Sequence, residues 1–198
     1  MKVILASRNE GKLREMRAIL SKFGMDVVSR DDAGIPAFEV EETGTTFEEN
    51  SYLKAEAIME ASGCPTIADD SGLVVDALGG EPGVYSARYA GDGCTDDDNN
   101  DLLLRRMENV PDGERSARFV SVITMLFPDG RKLVAKGSVE GRIDRQLDGE
   151  GGFGYDPLFI PDGYDRSFGV LSSEIKNSIS HRARALTELE MLLNEEKR

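Results

Sequence analysis

The chain has 198 residues, 39% of them hydrophobic, with 37 acidic side chains against 24 lysines and arginines and a net charge of −13. That length suits one domain, or two closely joined lobes, with a real core. The acidic balance excludes a general binder of nucleic-acid backbone, which needs a basic face, and no apolar run approaches the roughly 20 residues that span a bilayer.

A small anionic ligand gripped by a few local cations remains compatible with that charge. The first apolar run breaks at Ser7-Arg8-Asn9, too soon for a signal peptide. Cys64 and Cys94 form neither a disulfide framework nor a zinc pattern, which fits inert, buried thiols in a reducing cytoplasm.

Val3 to Ala6 reads as a buried strand. Asn9 can cap the helix that follows, where Leu13, Met16, Leu20 and Phe23 fall at helical spacing. A second strand is expected from Asp26 to Ser29, after the helix stop at Gly24. Residues 29–44 read as irregular and acidic. Thr46-Phe47-Glu48-Glu49 is a capping box and opens a helix to about Ser62. Pro65 to Ala68 reads as a strand running into Asp69-Asp70-Ser71-Gly72, after which Leu73-Val74-Val75 resumes apolar character. Gly79 to Gly83 reads as a loop, and Thr95-Asp96-Asp97-Asp98 as a helix start. Strand-like segments from Arg115 to Phe127 and from Lys132 to Ile143 flank the turn Pro128-Asp129-Gly130. Gly149 to Gly154 is glycine-rich, and an amphipathic helix starts at Ser180. Strands and helices alternate, the pattern of an α/β protein, with no domain boundary.

Four segments look unlike packing material. Ser7 to Lys12 joins a buried strand to a helix start, where backbone N–H groups and a lysine make a phosphate-binding corner; an ordinary capped surface helix is the alternative. Asp69 and Asp70 are adjacent carboxylates that repel, so they invite a cation or a shared proton. Magnesium would suit them, with Glu41 nearby, whereas the plain reading is a solvated Asp-Ser-Gly turn. Phe153 and Tyr155 stand among glycines beside Asp156, as a stacking platform for a flat ring or as plugs of the core. Lys176, His181 and Arg182 form a local cationic cluster, although a lone histidine is often incidental. Phosphate corner, carboxylates and stacking platform converge on a nucleotide.

The same residues resemble the inosine triphosphate pyrophosphatase, or Ham1-like, family over nearly the whole chain. The resemblance rests on Ser7-Arg8-Asn9-Glu10-Gly11-Lys12, Glu41-Glu42-Thr43-Gly44, Phe47, Glu49-Asn50, Lys54-Ala55, Ala68-Asp69-Asp70-Ser71-Gly72-Leu73, Gly83 to Tyr89, Gly152 to Pro157 and Ser180-His181-Arg182. It implies hydrolysis of deaminated purine nucleoside triphosphates (ITP, dITP, XTP) to the monophosphate and pyrophosphate, which clears them from the nucleotide pool. It also implies a single domain over residues 1–198, with two lobes on a long mixed β-sheet flanked by helices and the active-site cleft between the lobes. Magnesium is the implied cofactor and a cytoplasmic homodimer the implied state. By residue, Asp70 matches the family's proton acceptor and metal ligand, and Glu41 a second metal-binding acid. Substrate contacts match Ser7, Arg8, Asn9, Glu10, Gly11, Lys12, Lys54, Ser71, Phe153, Gly154, Tyr155, Asp156, Lys176, His181 and Arg182.

A triphosphate needs charge neutralisation before water can attack it, which Mg²⁺, Lys12 and Lys54 would supply. Asp70 would orient or deprotonate the water, or relay a proton from a metal-bound hydroxide. A 6-oxopurine offers an acceptor at O6 and a donor at N1, the reverse of adenine. Arg182 or His181 donating to O6 and Asp156 accepting from N1–H would therefore reject adenine. A pyrophosphatase for modified pyrimidine nucleotides of the Maf-like group, a non-catalytic purine-nucleotide sensor and an acidic interaction protein are the rival readings.

Overall fold

In the computed structural model, residues 1–7, 9–36 and 40–196 are described. Strand β1 (Lys2–Leu5) leads to helix α1 (Glu10–Leu20), β2 (Asp26–Ser29), α2 (Phe47–Ser62), β3 (Thr66–Val75) and α3 (Asp96–Arg106). Then come β4 (Ser116–Leu126), β5 (Lys132–Ile143), β6 (Phe159–Pro161), α4 (Ser173–Ile179) and α5 (His181–Glu195). The described strands form one sheet in the order β2-β1-β3-β4-β5-β6. It is mixed: β1 pairs in parallel with β2 and β3, while β5 and β6 are antiparallel.

Local signals set most element boundaries. Asn9 caps α1 through Lys12, and Thr46 with Glu49 completes the capping box of α2. Thr95 with Asp98 does the same for α3. Each such cap is worth about 1 kcal/mol. Gly130, at φ 91°, closes the turn between β4 and β5 with its N–H donating to the Phe127 carbonyl. Helix α4 and strand β6 carry no clear sequence signal.

The chain forms two compact units. The first comprises Met1–Asp70, Ser121–Gly137 and Arg184–Arg198; the second comprises Ser71–Val120 and Ser138–Ala183. Neither is contiguous in sequence, which is why no linker marks a boundary. In the first unit the pleat sorts side chains by parity, as strand geometry requires. Val3, Leu5 and Ile67 pack in one cluster with Leu13 and Met16 of α1. Ile4 packs instead with Ile58 of α2, and Ala68 with Ala55 of α2. The second unit has its own core around Leu73, Leu103, Phe119, Phe159 and Phe168.

One local expectation is corrected. Asp69-Asp70-Ser71-Gly72 is neither a turn nor a strand end; β3 runs through it unbroken for 10 residues. Buried Ile67 and Ala68 before it, and Leu73 and Val75 after it, hold the backbone extended. Nor are the thiols fully buried, since Cys64 and Cys94 are each half-exposed and free.

Candidate functional site

The first group of functional side chains lies in the first unit, where β3 carries two adjacent carboxylates in the interior. Asp69 is 4% and Asp70 8% exposed. Consecutive strand residues point to opposite faces, so the pair diverges. Asp69 shares the parity of Ile67 and meets α1: Lys12 Nζ lies 2.7 Å from its Oδ1. Asp70 shares the parity of Ala68 and meets α2: Lys54 Nζ lies 2.7 Å from its Oδ1. Each carboxylate therefore has its own lysine on its own face. Stranding a buried carboxylate by removing such a partner costs about 3–5 kcal/mol.

Asp70 has one oxygen that its lysine does not engage. Asp70 Oδ2 is buried without a hydrogen-bond partner. Burial raises the Asp70 carboxyl above the ordinary carboxylate range; Lys54 opposes this, and the charges of Glu42 and Asp69 add to it. Glu42 is half-buried and lies 3.5 Å from Lys54 Nζ, whereas Glu41, the acid expected from the sequence, is exposed. Lys54 thus bridges Asp70 and Glu42. The described residues hold no group of three or more His, Cys, Asp or Glu arranged for a metal. Magnesium does not require one, because it binds through one or two carboxylates plus waters and phosphate oxygens. Asp70 Oδ2, without a hydrogen-bond partner, and Glu42, held by the same lysine, are donors that fit such an ion.

The turn before α1 is tightly organised. Ser7 Oγ accepts the Asn9 N–H at 3.2 Å, and Asn9 Oδ1 accepts the Lys12 N–H at 3.1 Å. Ser7 and Asn9 shape the corner, while Glu10 and Gly11 are exposed on it. Arg8 lies outside the described residues.

The second group lies in the second unit, around a pocket of about 160 Å³. A cavity of ~150 Å³ is enough to hold one benzene-sized ring. Phe119, Phe153, Tyr155, Asp156, His181 and Arg182 line it, with Ser71 and Gly72 of β3 at its edge. His181 begins α5 and stacks on Phe119, with ring centroids 5.1 Å apart and planes at 19°. Tyr155 is an anchor, its hydroxyl donating to the Ser86 carbonyl at 2.8 Å, and burial raises its pKa. Phe153 is 62% exposed and lines the pocket, so its ring has a face available to a ligand.

Asp156 holds this platform together. Its Oδ2 accepts the Phe153 N–H at 2.8 Å and pairs with Lys176 Nζ, which extends from α4. Lys176 in turn stands 4.5 Å from the centre of the Phe153 ring. Gly152 is required here: a Cβ on it would fall 2.2 Å from Asp156 Oδ2, at a φ of 80°.

The structure thus gathers Lys12 and Asp69, then Lys54 and Asp70, in one unit. It gathers Ser71, Phe153, Gly154, Tyr155, Asp156, His181 and Arg182 around the pocket in the other, with Lys176 paired to Asp156. Sequence reasoning missed Glu42, Phe119, Ser86 and Asp96. Glu42 was legible only as the neighbour of Glu41, and Phe119 only as an alternating strand position.

An α/β protein with lysine-paired buried carboxylates and a polar-rimmed aromatic pocket belongs among proteins that handle small anionic ligands carrying a flat ring. A family model described as the Ham1 family matches residues 3–192. A dITP/XTP pyrophosphatase of Desulforamulus reducens is 51% identical over 195 residues, covering 98% of this chain and 96% of its own. One from Oceanobacillus iheyensis is 45% identical over 193 residues, covering 98% of each chain. The solved structure of the Staphylococcus aureus Ham1 protein superposes with a TM-score of 0.92 at 45% identity, covering 99% of this chain and all of that one. The chain belongs to the Ham1 family.

Proposed function

We propose that this protein hydrolyses deaminated purine nucleoside triphosphates, dITP, ITP and XTP, to the monophosphate and pyrophosphate. The observation that carries the chemistry is the buried Asp70 carboxylate, with one oxygen on Lys54 and the other without a hydrogen-bond partner. Asp70 Oδ2 accepts a proton from a water as that water's oxygen bonds to the α-phosphorus. The bond from the α-phosphorus to its bridging oxygen breaks, and pyrophosphate leaves with the electron pair. Its raised pKa makes Asp70 a better proton acceptor than an ordinary aspartate. Lys54 and Lys12 bring positive charge toward the phosphates, and the capped corner of Ser7 and Asn9 presents backbone N–H groups. Asp70 and Glu42, with Glu41 from the same segment, would hold Mg²⁺. When bound, the ion would neutralise phosphate charge and stabilise charge that develops on the leaving group.

Base selection belongs to the second unit. Phe153 offers a face for the purine, while Lys176, His181 and Arg182 offer donors toward O6. Asp156 keeps Lys176 and Phe153 in place, so its contribution to selection passes largely through them. Adenine, with a donor where inosine has an acceptor, would leave these groups unpaired, and that is a strong basis for rejection. A homodimer and a cytoplasmic setting complete the proposal; light scattering checks the first. Among the described residues no helix is long and apolar enough to cross a membrane.

The test is incubation with Mg²⁺ and a panel of ITP, dITP, XTP, ATP, GTP and modified pyrimidine triphosphates, measuring pyrophosphate. Release from ITP, dITP and XTP far above release from ATP, GTP and the pyrimidine triphosphates is expected. Binding without release would indicate a sensor and overturn the proposal.

A further inference from the structure

The loop that carries Phe153 is also gripped from a side that the proposed chemistry does not use. Gly154 has both backbone polar groups held by α3. Its N–H donates to Asp96 Oδ2 at 2.7 Å, and its carbonyl accepts from Asn100 Nδ2 at 3.0 Å. Asp96 and Asn100 are four residues apart, one helical turn, so they project from the same face of α3. Asn100 is 2% exposed, and Asp96 itself lines the aromatic pocket. Between them in sequence, Asn99 grips a second segment near the pocket. Its Oδ1 accepts the Ala90 N–H at 2.8 Å and its Nδ2 donates to the carbonyl of Ala87, a pocket-lining residue, at 3.4 Å. Gly154 sits at φ 60°, which glycine adopts freely and side-chain-bearing residues rarely do, so the glycine permits this shape and the two ties select it among the others open to it.

We propose that Asp96 and Asn100 are positioning residues for base recognition. By fixing the Gly154 peptide at both ends they set where the Phe153 ring stands, and so determine selectivity for the purine ring. This deepens the reading of the pocket as a base site and rests on it. Both hydrogen-bonding groups of the Gly154 backbone, its N–H and its carbonyl, are tied to side chains of one helix turn. A loop otherwise built from glycines cannot hold an aromatic ring at a defined stacking distance without such ties.

The test compares Asp96→Ala, Asn100→Ala and the conservative Asp96→Asn, whose amide oxygen can still accept the Gly154 N–H. Affinities for IMP and AMP are measured by titration calorimetry, alongside kcat and KM for ITP and hydrogen exchange over residues 152–156. Losing one such hydrogen bond is expected to lower the IMP-to-AMP affinity ratio about tenfold in each alanine variant. The loss should fall on KM rather than kcat, with faster exchange in the loop, and Asp96→Asn should restore most of it. An unchanged ratio in variants that still melt cooperatively would overturn the proposal, even if their melting temperatures drop. A wild-type protein that binds IMP and AMP equally would overturn the clamp and the base-reading pocket together. A falling ratio in a protein that hydrolyses no triphosphate would leave the clamp standing and reject the hydrolase reading.

Discussion

The two groups of candidate functional residues, one in each unit, are held by different means. In the first unit, the side chains proposed to react project from regular elements: Asp69 and Asp70 from mid-strand, Lys12 and Lys54 from helices on either face. Their positions follow from the pleat and the helix packing. In the second unit, the recognition surface is mostly loop, fastened by side chains onto backbone: Asp156 to Phe153, Asp96 and Asn100 to Gly154, Tyr155 to Ser86. Bond-breaking chemistry requires a fixed carboxylate, and a strand interior supplies it. Base selection is a matter of edges and distances that loop residues can adjust without disturbing a core. Damage to the first group should therefore appear in kcat, and damage to the second in KM and in the ratio between substrates.

The largest expected effect is that of Asp70→Asn. Loss of the proton acceptor should lower kcat by about 10²–10⁴-fold with ITP binding retained, as measured by pyrophosphate release and calorimetry. Near-normal turnover would remove Asp70 from the mechanism. Folding stability should move the other way. With its pKa raised in the folded state, Asp70 binds its proton more tightly there than in the unfolded chain, so its contribution to stability declines as pH rises from its ordinary value of 3.8 through the raised one. The asparagine variant should lack that decline in a series of melts against pH.

Asp156→Ala should act on the other group. Freeing Phe153 and Lys176 together is expected to reduce the ITP-to-ATP ratio of kcat/KM by about 10- to 100-fold, with a smaller change in kcat. An unchanged ratio would separate selectivity from this loop. Lys54→Met tests whether Asp70 is tuned by its neighbour. Since Lys54 opposes the rise in the Asp70 pKa, its removal should shift the acidic limb of the kcat/KM profile to higher pH. A limb that stays in place would mean that another group titrates there.

The smallest effect is expected at the edge of the second unit. Arg166 pairs with Asp148 and, with the Ser167 N–H, lowers the Asp148 carboxyl to about 2. The stabilisation is present above the ordinary value of 3.8 and lost as pH falls through about 2. Arg166→Ala should therefore make acid unfolding begin at higher pH, by a modest margin because the pair is exposed. Circular dichroism against pH reads it directly.

Much of the fold was legible because its signals are local. The capping box at Thr46, the helix start at Thr95 and the glycine turn at Gly130 are decided by residues a few positions apart, and the structure places them as expected. Helix α4 was not legible: its seven residues bury no side chain, so no apolar period marks it. The segments bearing Asp70, Phe153, Asp156 and Lys176 stood out by composition, since carboxylates within apolar runs and aromatics among glycines are poor packing material.

By itself, then, the sequence marked the segments proposed to carry the chemistry and, through the family resemblance, what that chemistry would be. Only the tertiary structure decided how those segments pair. It turned two adjacent acids, which in sequence seem to compete for one cation, onto opposite faces of a strand, each with its own lysine. Lys12 and Asp69 are 57 positions apart, and Asn100 and Gly154 are 54 apart. The physical reason is the pleat: neighbours along a strand are separated by the sheet, and distant residues are brought together by whichever helix packs on each face.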